Sequence, residues 1–217
     1  MASLKTLGLV KTKGAKTVSV FDSLFPGKDY MTVTYSSPKN YVQQYWNAYL
    51  KSGKKNNSLN GSMFEAILAT LFVREGLTPF YFQVQLAFVP AIDYDFVFYK
   101  EEDTKHPVTN QAIKNRIPIA VSLKTSLRER WKQADLEAEA LKNVHRGGKC
   151  YLLSIEKDEV IKINKRIQIG DAVGLDKAID CFSTDLDDFI KDMKAQTPFM
   201  VSQKDVSVIV TTSNLIK

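Results

Sequence analysis

The sequence predicts an α/β fold in which a mixed central β-sheet is flanked by helices. Short apolar runs of strand length alternate with longer segments whose apolar residues recur at the helical period. The clearest example lies at the centre of the chain, where Ile117, Ile119 and Val121 mark a buried strand that leads directly into a helix. A hydrophobic content of 44% and a charged content of 25% are ordinary for a globular protein with a packed core.

Length and composition narrow the class of protein. A chain of 217 residues favours a single domain with one substantial core. No run approaches the roughly 18 apolar residues of a membrane span, and the N-terminus lacks the apolar region of a secretory signal. Cys150 and Cys181 lie in apolar surroundings, so we expect two buried thiols in a reducing compartment. The net charge of +6 is compatible with a polyanionic partner but does not require one.

The first third of the chain is predicted to contain mixed elements. They are strands at 18–21 and 31–35 with a turn at 25–29 between them, a helix at 38–52, a loop at 53–58 and a helix at 61–76. Ser62 and Glu65 have the spacing of a capping box at the start of the last helix, and Gly76 would end it.

The rest of the chain is predicted to complete the sheet. Before the central stretch these elements are strands at 80–89 and 92–99 and a polar loop at 101–116. After it come a strand at 150–155 beside the Ile119 strand and, at 156–171, a charged loop that is either a mixed surface or a DNA-flanking loop. The last elements are a short helix at 175–179, a helix at 184–194 capped by Thr184 or Asp185, and an edge strand at 206–210. Asp93 and Asp95 point to one face of their strand because side chains alternate along it.

The central stretch combines a buried lysine with a charged helix start. Lys124 ends the apolar strand, where a lysine is costly to bury and needs a reason. Ser126 and Glu129 have the spacing of a capping box, which predicts a helix that begins after Ser126. Apolar residues at 127, 131, 134, 138 and 141 form the buried stripe of that helix. Glu137 then lies at the border of the core, on the same flank as Arg130.

This arrangement resembles the PD-(D/E)XK nucleases, which carry a metal-binding Asp at a strand start and a Lys at the end of the next strand. Here Ser122 stands two residues before Lys124, where the usual acid would be. One branch of type II restriction endonucleases shows the same departure and carries the acid on the following helix, where this chain has Glu137. That branch reads a CC/GG element with Arg-Glu-Arg or Arg-x-Asp-Arg just after the lysine.

Arg128-Glu129-Arg130 matches the first of these two recognition motifs. The chemistry agrees, because arginine is bidentate to guanine O6 and N7 and glutamate accepts from the cytosine amino group in the major groove. A salt-bridged helix terminus is the alternative interpretation of the same three residues. Their position directly after a buried lysine favours base recognition.

The resemblance also implies the remaining site residues. It makes Asp95 the metal-binding Asp of its strand, with Asp93 as the alternate because the family's Pro-Asp pair is absent. Glu65 matches a glutamate that such nucleases carry on an early helix near the metal, although a capping role alone would also account for it. Asp95 and Glu137 would hold Mg²⁺, which prefers hard oxygen ligands. Lys124 would orient or deprotonate the attacking water.

The resulting prediction is a Mg²⁺-dependent type II restriction endonuclease that cuts double-stranded DNA at a palindrome with CC/GG half-sites, of the CCGG, CCNGG or CCWGG type. A palindrome favours a two-fold symmetric homodimer, and a monomer that nicks or cuts the strands sequentially is the alternative. No nucleotide cofactor and no membrane partner are expected, and the location would be the cytoplasm of a prokaryotic cell. The alternatives are a repair or recombination nuclease without base readout and an inactive DNA-binding module. Within the single domain, residues 60–155 form the predicted catalytic core, 1–55 are poorly defined, and 156–217 complete the sheet and a flanking helix.

Overall fold

The computed structural model describes residues 15–24, 30–53, 56–86, 88–89, 92–201, 208–209 and 215–217. The helices in these ranges are α1 Ala15–Leu24, α2 Pro38–Lys51, α3 Asn57–Arg74, α4 Arg130–Val144, α5 Lys157–Ile169 and α6 Thr184–Lys194. The strands are β1 Phe80–Leu86, β2 Asp93–Lys105, β3 Ala112–Lys124, β4 Lys149–Ser154, β5 Lys177–Asp180, β6 Val208–Ile209 and β7 Leu215–Ile216. Within the same ranges, no helix has the length and apolarity needed to cross a membrane.

The strands form one mixed sheet in the spatial order β5-β4-β3-β2-β1-β6, and β7 also pairs with β1. β1, β2 and β3 form an antiparallel meander, whereas β4 pairs parallel with β3 and β5 pairs parallel with β4. Parallel neighbours need a crossover connection, and α4 and α5 provide the two crossovers. The predicted α/β class with a mixed sheet flanked by helices is confirmed.

Helices cover both faces of the sheet, and each face has its own core. On the α3 face, helices α1, α2, α3 and α6 pack on the strands through many large aromatic side chains. The ring of Phe72, for example, meets those of Phe96 and Phe98 edge-on at centroid distances of 5.2 and 5.6 Å. On the α4 face, helices α4 and α5 contribute smaller side chains, among them Ala134 and Ala138.

The start of the chain folds differently from the prediction. The segment predicted as a strand at 18–21 lies in α1, because Thr17, Val20 and Phe21 are buried at the i, i+3, i+4 spacing of a helix face. The segment predicted as a strand at 31–35 is a turn followed by irregular backbone. The turn predicted at 25–29 lies outside the described residues. Helix α2 and its buried Tyr41, Tyr45 and Trp46 confirm the helix predicted at 38–52.

Helix α3 starts earlier than its sequence suggested. Its N-cap is Asn56, whose side chain accepts a hydrogen bond from the Leu59 backbone N–H. The capping box predicted for Ser62 and Glu65 is therefore wrong, since both residues lie inside the helix. The C-terminus was predicted correctly: Gly76 follows the C-cap at φ +74°, the left-handed conformation that ends helices.

The largest error concerns residues 101–116, which were predicted as a polar loop. β2 and β3 continue through this region as a hairpin, with only residues 106–111 left for its tip. Beyond the core both sides of a two-stranded ribbon face solvent, so the sequence carries no hydrophobic alternation there. Cross-strand ion pairs of Glu101 with Lys114 and Arg116 follow the ladder instead.

The C-terminal elements were predicted in part. The strand at 150–155 is confirmed as β4, whose Lys149 pairs with Ile119 of β3. The loop predicted at 156–171 is α5, whose buried Val160 and Ile163 are hidden among charged residues. The helix predicted at 175–179 is strand β5. Helix α6 is confirmed, but Ser183 caps it by accepting from the Asp185 backbone N–H, rather than Thr184 or Asp185.

Strand β6 and the two cysteines can also be compared with their predictions. β6 covers residues 208–209 of the strand predicted at 206–210 and pairs with β1 on the side away from β2. The other residues of that predicted strand lie outside the described ranges. Cys150 and Cys181 are both buried free thiols, as predicted. Burial raises the pKa of the Cys150 thiol to about 12, so it stays protonated at neutral pH.

Candidate active site

The start of β2 and the end of β3 bring Asp95 and Lys124 into contact. The antiparallel register pairs Phe96 with Val121, so Asp95 lies on the next rung opposite Ser122 and Lys124 is its diagonal neighbour. The Lys124 Nζ atom is 3.8 Å from Asp95 Oδ2, and the two side chains are only 13% and 18% exposed. The same Oδ2 accepts a hydrogen bond from the Leu123 backbone N–H at 2.6 Å. This carboxylate is thus oriented by the neighbouring strand.

Helix α4 brings Glu137 to the same end of the sheet. Ala134 and Ala138 are buried against the strands, and their small size lets the helix backbone come close. The Tyr94 hydroxyl donates to the Glu137 carbonyl oxygen at 2.8 Å, so the residue before Asp95 fastens the helix at this point. Sequence reasoning missed this role of Tyr94, although its place between two aspartates was a signal.

Electrostatics couples Glu137 to the other charged residues. Burial raises the pKa of Glu137 above its ordinary value, while the positive charge of Lys124 and a hydrogen bond from Gln133 lower it. The charges of Asp95 and Asp93 raise the pKa further. Gln133 Nε2 lies 2.7 Å from Glu137 Oε1. Two carboxylates and one ammonium group from three different elements therefore share one electrostatic environment.

Glu65 approaches from the opposite face of the sheet. It lies half-buried in the interior of α3, so the alternative that it only caps its helix is wrong. Glu65 Oε2 accepts a hydrogen bond of 2.9 Å from Nε2 of Gln83, which lies on β1. The register of β1 and β2 sets Gln83 opposite Asp95. A single side chain thus connects Glu65 with the rung of Asp95.

Asp93 and Ser122 lie near the site, but no hydrogen bond or ion pair joins either of them to Lys124 within the described residues. Asp93 is exposed at the start of β2 and accepts a hydrogen bond from Gln85 at 3.0 Å, whereas Asp95 is the aspartate that contacts Lys124. Ser122 Oγ is buried and has no hydrogen-bond partner within the described residues. It lines a cavity of about 10 Å³ together with Tyr94 and Glu137.

The Arg128-Glu129-Arg130 motif lies in an exposed turn at the entry to α4. The helix begins at Arg130, and its N-cap residue Glu129 makes no capping hydrogen bond through its side chain, so the capping box predicted at Ser126 is wrong. A longer-range contact replaces it, because Glu156 Oε2 accepts from the Leu127 backbone N–H at 2.7 Å. Glu129 forms an exposed ion pair of 3.0 Å with Lys132. The motif therefore faces solvent while Leu127 beneath it is buried.

Two acids at this end of the sheet could hold a divalent cation. Among the residues that the structure describes, no group of three or more His, Cys, Asp or Glu converges as a complete metal site. Asp95 and Glu137 alone suit Mg²⁺, which usually binds one or two carboxylates and keeps several waters or substrate phosphate oxygens. The donor set fits that cation better than zinc, which favours cysteine and histidine.

Comparison with known proteins adds no family. The chain matches no protein-family model and no curated protein. Function has to be inferred from the site itself.

Proposed function

We propose that this protein is a Mg²⁺-dependent endonuclease of the type II restriction class, which hydrolyses double-stranded DNA at a palindrome with CC/GG half-sites. The observation that carries the proposal is the contact of Asp95 with Lys124 beside Glu137, at the sheet end from which the Arg128-Glu129-Arg130 turn leads away. These residues follow the order of the PD-(D/E)XK branch with the displaced acid.

The charged residues have distinct roles in this proposal. Phosphodiester hydrolysis needs a polarised phosphate, an activated water and stabilisation of the developing negative charge. Asp95 and Glu137 would hold Mg²⁺, which polarises the phosphate and lowers the pKa of a bound water. Lys124 orients the attacking water and stabilises the negative charge from its position at the end of β3. Its contact with Asp95 keeps the ammonium group aimed at the carboxylates.

Base recognition follows from the exposure of the turn. Arg128 and Arg130 suit the two guanines of one strand, and Glu129 suits the paired cytosines. In the free protein Glu129 pairs with Lys132, and both side chains are exposed. Such a surface pair contributes about 0–1 kcal/mol, so exchanging it for contacts with cytosine costs little.

A homodimer is part of the proposal. Both halves of a palindrome present the same sequence, and a two-fold axis lets two copies of one turn read them. Each protomer would then cut one strand with its own Asp95, Lys124 and Glu137.

The test is a digest of a long duplex DNA with the purified protein, in Mg²⁺ and in EDTA, followed by sequencing of all ends. We expect discrete ends at a CC/GG-containing palindrome only with metal. Lys124→Ala serves as the inactive control, to exclude a contaminating nuclease.

The other outcomes separate the alternatives. Cuts at random positions or at DNA structures would identify a repair or recombination nuclease, in which Arg128 and Arg130 bind phosphates. No cleavage with any divalent cation, together with tight duplex binding, would identify an inactive DNA-binding module. Absence of both would remove nucleic acid from the proposal altogether.

A further inference from the structure

The backbone of β1 is distorted at Gln83. This residue has φ +49°, in the left-handed region that side chains other than glycine adopt with difficulty. Along a regular strand, residues two apart face the same side. Here Phe80 and Phe82 belong to the core of the α3 face, whereas Val84 and Leu86 belong to the core of the α4 face. The alternation of β1 therefore inverts at Gln83.

The neighbouring strand inverts at the same rung. On β2, Phe96 and Phe98 belong to the α3 face, whereas Tyr94 belongs to the α4 face. The residue between Tyr94 and Phe96 is Asp95. Because Phe82 pairs with Phe96 and Val84 with Tyr94, both inversions fall on the rung that holds Gln83 and Asp95.

This coincidence points to a local function. A strained conformation of a non-glycine residue persists only where its surroundings require it, and such residues cluster at active sites. The strain at Gln83 lies opposite the aspartate of the candidate site. From that rung its side chain reaches Glu65, with a hydrogen bond of 2.9 Å to the carboxylate.

We propose that Gln83 is a positioning residue for the cation site, which sets the Glu65 carboxylate of α3 relative to Asp95 of β2. The inference rests on the proposed function, because it assigns Glu65 to the surroundings of the same cation. The Gln83 side chain bonds the Glu65 carboxylate. Its backbone lies between the Phe82–Phe96 and Val84–Tyr94 pairs, at the ladder position of Asp95.

An amide is the suitable group for this task. The side chain of glutamine donates a hydrogen bond and carries no charge. It can therefore orient the Glu65 carboxylate without neutralising the negative charge that this residue adds to the surroundings of the cation. Lysine or arginine at this position would compete with the cation for the same charge. Partners of this kind around metal ligands typically change metal affinity or activity about 10–100-fold when removed.

The test compares Gln83→Gly with Gln85→Ala in the full chain. Glycine accepts the left-handed backbone but removes the amide. Gln85 is a matched control, since it lies on the same strand and donates to the exposed Asp93 at 3.0 Å. Binding of Mn²⁺ alone is measured by calorimetry, with Glu65→Gln as the reference for loss of the carboxylate and Asp95→Asn as the reference for loss of the site.

We expect Gln83→Gly and Glu65→Gln to weaken Mn²⁺ binding by about 10–100-fold, and Gln85→Ala to bind like the wild type. The melting temperature of Gln83→Gly should stay close to that of the wild type, because relief of the left-handed strain offsets the greater freedom of glycine in the unfolded chain. In a cleavage assay, the Mg²⁺ concentration for half-maximal rate should rise while the rate at saturating Mg²⁺ changes much less.

Two outcomes would overturn the inference, and they are distinguishable. If Glu65→Gln weakens Mn²⁺ binding and Gln83→Gly does not, the cation site stands and Gln83 has no positioning role. If the wild type binds no Mn²⁺, or Asp95→Asn leaves its affinity unchanged, the cation site of the proposed function fails and the role of Gln83 fails with it.

Discussion

Helices α3 and α4 cover opposite faces of the same sheet and are held there in different ways. α3 has 10 buried residues among its 18, and most of them are apolar side chains that fill the aromatic core. α4 has only 4 buried residues among 15, and one of the four is the charged Asp135. Large apolar contacts fix α3, whereas specific polar contacts must fix much of α4.

The polar contacts of α4 are distributed along its length. Tyr94 donates to the carbonyl of Glu137, and Glu156 holds the Leu127 backbone before the helix starts. The buried carboxylate of Asp135 accepts hydrogen bonds from three successive backbone N–H groups, those of 173, 174 and 175. A Cβ atom on Gly174 would lie 2.1 Å from the Asp135 carbonyl oxygen, so this loop touches the helix backbone.

The two faces of the sheet therefore differ in how much they contribute to stability. Burial of large side chains on the α3 face contributes most of the stabilisation, since it scales with the apolar area removed from water. On the α4 face, Glu137 is only half-buried and is therefore partly accessible to a ligand. The aromatic layer thus supports the face that holds the polar groups of the candidate site.

The largest effect is expected from the α3 face. Phe72→Ala should lower the free energy of unfolding by about 3–5 kcal/mol, because it removes a ring from the centre of the aromatic core. Leu136→Ala is the matched change on α4, where the side chain is 64% exposed, and should stay within about 0.5 kcal/mol. Urea denaturation measures both. Equal losses would abolish the contrast between the two helices.

The next largest effect is expected on the cleavage rate and not on stability. Lys124→Ala should reduce cleavage of cognate DNA by about 10²–10³-fold, because it removes a charge that stabilises the developing negative charge. Specific DNA binding and the melting temperature should change little. Lys191→Ala, an exposed lysine on α6, is the control. A loss of binding equal to the loss of rate would make Lys124 a phosphate contact instead of a catalytic residue.

A third substitution tests whether the hydrogen bonds of Asp135 hold α4 in place. Asp135→Ala leaves three backbone N–H groups without their acceptor and should cost about 1–3 kcal/mol of unfolding free energy. Asp188→Ala removes an exposed aspartate from α6 and should be close to neutral. Denaturation in urea compares them. A neutral Asp135→Ala would mean that the apolar contacts of α4 hold it without this carboxylate.

The smallest expected effect is a pH-dependent gain in stability from Glu137→Gln. Burial raises the pKa of Glu137 in the folded protein above its ordinary value of 4.5. Ionisation is then easier in the unfolded chain, so the charged carboxylate lowers stability at pH values above the folded pKa. The variant should melt higher at neutral pH, by on the order of 2–4 °C or less. This gain should shrink as the pH falls through the folded pKa, and vanish below 4.5.

Melting curves of wild type and variant across the pH range measure the difference directly, with the exposed Glu139→Gln as control. Addition of Mg²⁺ should reverse the order at neutral pH, because a cation that binds only the native carboxylates stabilises the wild type. A pH-independent gain would assign the effect to packing around residue 137.

Strong periodicity made several elements predictable. Helices α2 and α6 and strand β4 follow the hydrophobic pattern closely and were predicted correctly. The site residues Asp95, Lys124 and Glu137 came from the family resemblance, and the structure brings them to one end of the sheet. Their catalytic roles stay predictions.

The remaining features depend on contacts that are distant in sequence. Helix α4 begins later than predicted, because Glu156, 29 residues away in sequence, binds the Leu127 backbone N–H. The β2–β3 hairpin was hidden because its outer half is polar on both sides. The left-handed backbone of Gln83 has no local sequence signal, since glutamine has no preference for that conformation.

The long ladder between β2 and β3 sets the register of the residues at the candidate site. Its ten consecutive rungs, from Phe96 opposite Val121 to Lys105 opposite Ala112, fix which residue faces which at the far end. Lengthening both strands by the same number of residues would leave the Asp95–Lys124 contact intact, whereas a one-residue slip would turn every side chain of one strand to the opposite face. The number of residues between Asp95 and Lys124 can therefore vary without loss of their contact, provided that β2 and β3 change length by the same amount.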